Sequence, residues 1–122
     1  MLVRYQTDYI IRLIEQLSGL IRGAVERLGL KEAEATEQLA GQAIGLALGM
    51  DPELASSLSA QSLAAMFSIG SPDDRITELV LQAIELEATV LDDRGDATTA
   101  RLRHEQAAAL RSLLESKTQP TT

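Results

Sequence analysis

The 122-residue chain contains no cysteine and no tryptophan, and its aromatic residues are limited to Phe67, Tyr5 and Tyr9. Without cysteine there is no disulfide, no thiolate metal ligand and no thiol nucleophile, which fits a chain kept in a reducing compartment. With so few aromatics, the core falls to Leu, Ile, Val and Ala. Positive charge is also short: 11 Lys and Arg stand against 18 Asp and Glu, a net charge of -7. A nucleic-acid binder needs a basic stripe to displace counterions from phosphates, so no nucleic-acid partner is expected. His104 is the single histidine. Its sequence neighbour Glu105 projects about 100° away on a helix, so the two make no acid–base pair. Long apolar runs are missing as well. The stretch between Glu37 and Asp51 falls short of the roughly 20 residues that span a bilayer. The opening "MLVRYQTDYIIRLIEQ" lacks the apolar core and cleavage site of a signal peptide. The expectation is a cytoplasmic chain with no membrane partner, no metal and no cofactor.

What the chain does have is helical periodicity. Apolar residues at 10, 13, 14, 17, 21, 24, 25 and 28 form a stripe that opens near Thr7 and Asp8 as capping residues and closes at Gly29 with a left-handed cap. A second helix follows from Lys31, with Glu32, Glu34 and Glu37 near the positive end of its dipole. Asp51 and Pro52 open a short third helix, and Ser59 caps a fourth that carries Leu63, Met66 and Phe67. Ser71 with Asp74 caps a fifth, Gly95 ends it, and Asp96 caps the sixth. The pattern predicts an all-α domain over 1–115, with helices near 7–28, 31–49, 52–58, 60–68, 72–94 and 97–115. Two long hairpins are thus bridged by two short helices, and 116–122 is expected to be a disordered tail.

In the second helix, "GQAIGLALG" places Gly41, Gly45 and Gly49 four residues apart. Three glycines cost about 3 kcal/mol of helix propensity relative to alanine. Close packing against another helix offsets such a loss, because missing side chains let backbones approach. The other reading makes Gly49 a helix cap and the remaining two merely tolerated.

Superimposing Gly29 on Gly95 gives an internal repeat in which Ile10, Leu13, Ile14, Leu17, Ala24 and Val25 fall on Ile76, Leu79, Val80, Ala83, Val90 and Leu91. The second hairpin resembles the tetratricopeptide repeat, with Ile84, Ala88, Leu91, Gly95, Ala100, His104 and Ala107 at that motif's spacing. It departs from the motif at Glu87, where a leucine is usual, and at Ser112, where a proline is usual. The first hairpin follows it only through Ile21, Val25 and Gly29. With its opening "DYIIRLIEQL" and centre "LGMDPELASSLS", the whole chain resembles a family of small uncharacterised bacterial all-helical proteins with tetratricopeptide-like hairpins. That resemblance implies a fold and no activity.

Candidate chemistry is thin. Asp92, Asp93 and Asp96 lack the alternating acidic spacing of a calcium loop, and no glycine-rich turn follows a strand pattern. The expectation is a non-catalytic interaction or scaffold protein. By the tetratricopeptide resemblance, its partner face comprises Gln82, Glu85, Thr89 and Asp92, an acidic and polar surface suited to a basic peptide. The alternative is an enzyme-accessory or ligand-binding helical protein that holds a small apolar molecule. A second apolar strip on the fifth helix, Leu81, Ile84 and Ala88, together with Ile11 on the first, also predicts a homodimer.

Overall fold

The computed structural model describes residues 2–69 and 73–118, with side chains described within 7–69 and 73–116. Among these residues the chain is all-α, with no strand. Its helices are α1 (Leu2–Gly29), α2 (Ala33–Leu48), α3 (Pro52–Ser56), α4 (Ala60–Ile69), α5 (Asp74–Arg94) and α6 (Ala97–Thr118). None of them is long and apolar enough to cross a membrane.

Most punctuation acts where the sequence places it. Asp51 accepts the Glu53 N–H at 2.8 Å with Pro52 in the first turn of α3, and Ser59 Oγ accepts the Ser62 N–H at 3.0 Å. Asp96 accepts the Thr99 N–H at 3.2 Å. Other caps differ. Helix α1 begins at Leu2, so Thr7 and Asp8 lie inside it. The cap of α5 is Asp73, which accepts the Arg75 N–H at 2.8 Å. Hydrogen bonds from the Arg75 side chain and backbone hold the Asp73 carboxyl down to about 2. Ser71 lies outside the described residues. Helix α6 runs to Thr118, three residues into the segment read as a tail.

The turn after α1 departs further from expectation. Its left-handed residue is Lys31, at φ 61°, rather than Gly29. Lys31 N–H bonds the Leu28 carbonyl at 3.0 Å and Glu32 N–H bonds that of Arg27 at 2.9 Å. The same pair of bonds closes α5 around Gly95, at φ 84°: Gly95 N–H to Asp92 and Asp96 N–H to Leu91. The equivalent turn residues are therefore Lys31 and Gly95, so superimposing Gly29 on Gly95 sets the turns two residues out of step.

Helix α5 is the centre of the fold, packed against α1, α2 and α6, while α4 covers α6 and α3 lies on α2. Leu13, Leu17 and Ile21 of α1 meet Ala40, Ala43 and Ile44 of α2, and Ile76, Val80, Ala83 and Ile84 of α5. Leu63 and Phe67 of α4 close the core together with Ala107 and Leu110 of α6. Each large aliphatic side chain buried in this way contributes roughly 1.5–3 kcal/mol.

The three glycines of α2 serve different ends. A Cβ on Gly45 would sit 2.8 Å from the Met50 carbonyl oxygen and 3.0 Å from Pro52 Cγ, so the close approach is the chain's own turn into α3 rather than a neighbouring long helix. A Cβ on Gly41 would lie 3.5 Å from a Glu87 carboxylate oxygen. Gly49, at φ 68°, is the left-handed cap.

Candidate partner groove and a buried polar clasp

Gln82, Glu85, Thr89 and Asp92 recur at helical spacing along α5, and all four are exposed. The first three, with Leu86, form one wall of a groove of about 260 Å³ whose other wall is Ile21 and Val25 of α1. Val25 is 52% exposed there. Thr89 also borders a second depression of about 640 Å³ that reaches Lys31, Asp93 and Arg94. Asp92 lies outside the groove lining and turns toward α6, where His104 Nε2 stands 2.9 Å from its carboxylate. Glu85 is likewise held by Arg111. Both partners of these two pairs lie seven positions apart on their own helices, so they form two rungs across the antiparallel α5–α6 hairpin. On this face the charge of Glu85 is thus offset by Arg111 of α6. Glu78 and Asp93, exposed on the same helix, enter no ion pair among the described residues.

The dimer strip does not survive as a surface. Ile84 is 1% exposed and Ala88 is 2% exposed within the single chain, and Leu81 is half-buried against the core. The reason is the central position of α5: a helix enclosed on three sides needs apolar residues around most of its circumference. Only Ile11 of the proposed contacts remains open, at 45% exposure.

The structure also assembles polar residues that sequence reasoning left apart. Glu87 of α5 and Arg103 of α6 are both buried, with Arg103 Nε 2.9 Å from Glu87 Oε1. The N–H is not aimed at that oxygen, so the two charges touch without an aligned hydrogen bond. Arg103 Nη1 donates to the Ser56 carbonyl at 2.8 Å and to Gln106 Oε1 at 3.0 Å. Gln106 Nε2 donates to the Leu58 carbonyl at 2.7 Å. The clasp ties the end of α3 and the loop toward α4 onto α6. Burial pushes the Glu87 carboxyl up to about 7, the Arg103 charge opposing the shift and Glu37 of α2 adding to it. The signal available in the sequence was a glutamate on the apolar side of α5, where the repeat pattern has leucine.

A separate apolar cleft of about 290 Å³ opens where α1, α2, α4 and α5 converge, lined by Tyr9, Ile10, Leu13, Leu48, Met66 and Phe67 among others. No group of three or more His, Cys, Asp or Glu side chains suited to a metal occurs among the described residues.

No family model, no curated protein and no solved structure matches the chain.

Proposed function

We propose that the chain is a non-catalytic protein-interaction module, built on tetratricopeptide-like hairpins, that binds a basic amphipathic helix in the α1–α5 groove. The observation that supports this most directly is the groove itself: three of the four partner-face residues read from the repeat pattern line it, beside the exposed apolar wall of Val25. Apolar anchors of the peptide would meet Ile21, Val25 and Leu86. Its Lys or Arg residues would meet Glu78 and Asp93, exposed acids on α5 that enter no ion pair among the described residues. The surplus of acidic residues in the chain as a whole favours the same partner charge.

A displayed library of helical peptides tests the reading. Selected sequences should combine apolar residues three and four apart with flanking Lys or Arg. Their binding should weaken at least about tenfold in Val25→Glu, roughly the effect of losing one anchor, and persist in Leu54→Glu, an exposed α3 residue that does not line the groove. Binders indifferent to Val25→Glu would sink the proposal.

The second reading, an apolar ligand carrier, is favoured by the α1–α4 cleft, whose volume lies near the lower end of small-molecule sites. It would be supported by a lipophilic molecule that copurifies with the protein and is lost in Phe67→Ala.

A further inference from the structure

The clasp around Glu87 fastens a part of the chain that has little else to hold it. Helix α3 is five residues long, its Leu54 is 63% exposed, and Ala55 is its one buried residue. Segments with so few buried apolar contacts open at low free-energy cost. Pro52, at the start of α3, and a Glu87 carboxylate oxygen meet over the same bare face of Gly41, 4.0 and 3.5 Å from where a Cβ would stand. Lifting α3 therefore brings water to Glu87.

We propose that α3 and the loop into α4 form a proton-operated strap, closed over Glu87 when that side chain is neutral and released when it gives its proton to solvent. The charged groups facing Glu87 are Arg103 from α6 and Glu37 from α2, and Glu37 is itself held by Arg94 of α5 at 2.6 Å. From the start of α3, apolar Pro52 stands beside the same face of Gly41 as the Glu87 carboxylate. An ionised Glu87 thus has one misaligned cation, one opposing carboxylate and little solvent, while Arg103 commits Nη1 to Ser56 and Gln106. Desolvation is the dominant influence, which is why the carboxyl titrates near 7 in the closed form instead of at its ordinary value of 4.5.

The sign follows from linkage. The closed strap binds the proton more tightly than the open one, so the closed form is most favoured below about pH 4.5 and loses that advantage as pH rises through about 7. Opening is driven by rising pH. The strap and the α1–α5 groove involve different residues, so this inference stands apart from the proposed partner.

Amide hydrogen exchange at Ser57 and Leu58, whose N–H groups bond within the segment, tests the inference on the intact chain. After correction for intrinsic exchange, the opening constant should rise with pH by up to roughly tenfold per unit between about pH 5 and pH 7. In Glu87→Gln the rise should disappear. His104 remains in that variant, so a slope caused by the imidazole would survive the substitution. A flat profile in the wild type, or an equal slope in Glu87→Gln, overturns the proposal. Should Glu87→Gln fail to fold, the carboxyl carbon of Glu87 is followed by NMR in the wild type. A midpoint near 7 with strap amides shifting in step supports the strap, whereas a midpoint in the ordinary range or unresponsive amides refutes it.

Discussion

The α1–α2 and α5–α6 hairpins share a shape but are specified differently. The first is seamed by aliphatic and small residues, Leu13, Leu17, Ile21 and Ala24 against Ala40, Ala43 and Ile44, and it turns on a lysine forced into the left-handed region. The second buries Thr77, Glu87, Arg103 and Gln106 among its aliphatics, carries two polar rungs on its surface and turns on a glycine. In the first, the close fit of small residues leaves little freedom for error. In the second, polar groups in a dry interior must meet particular partners, which fixes the alignment of helices that apolar surfaces alone would allow to slide.

The largest expected difference lies in the response to losing one polar partner. Arg103→Met should destabilise the protein by about 3–5 kcal/mol in denaturant titrations near pH 8, because it leaves the ionised Glu87 carboxylate without its neighbouring cation. The loss should shrink as pH falls and Glu87 takes up a proton. Replacing both charges, Glu87→Leu with Arg103→Met, should recover most of the stability. If the double variant is as unstable as the single one, the hairpin depends on packing in the same way as the first.

Steric limits in the first hairpin come next. Gly45→Ala should lower the thermal midpoint through a loss of about 1–3 kcal/mol, since a Cβ placed 2.8 Å from the Met50 carbonyl oxygen must push the backbone away. Gly45→Leu should cost at least as much, and an unchanged melt for both would show that the turn into α3 yields freely.

Smallest is the exchange of turn residues. Lys31→Gly should stabilise by up to about 1 kcal/mol and Gly95→Lys should destabilise by about 1 kcal/mol, as both replace one residue type in a left-handed backbone. Melts of the two variants moving in the same direction would break the equivalence of the turns.

Much of this fold was legible because helix ends are written locally. Asp51 with Pro52, Ser59, and Gly95 with Asp96 each act within a few residues of themselves. The start of α1 was misplaced because a capping residue type marks a helix end only where the helix stops, and here it continues through Thr7 and Asp8. Lys31 was missed for a related reason: Gly29 is the better left-handed former, yet the bonds to Arg27 and Leu28 close two residues later. The partner-face residues on α5 were implied by the tetratricopeptide resemblance, whereas the contacts of Glu85 with Arg111 and of Asp92 with His104 required knowing how α6 returns along α5. The same holds for the clasp. Glu87 and Arg103 lie on separate helices, and Ser56 and Leu58 contribute carbonyl oxygens, which every residue possesses and no sequence pattern distinguishes.

The seven-residue spacing of the two rungs makes α5–α6 a keyed joint. A slide of α6 by one helical turn in one direction would set Glu85 opposite Ala107 and Asp92 opposite Ala100, abandoning both pairs. A slide the other way would bring Glu85 up to Glu115 and Asp92 up to Ala108, exchanging one attraction for a repulsion. Each surface pair is worth little by itself. Their shared interval means that a slip of one turn in either direction loses both together, so two weak surface contacts jointly favour the native register over its nearest neighbours.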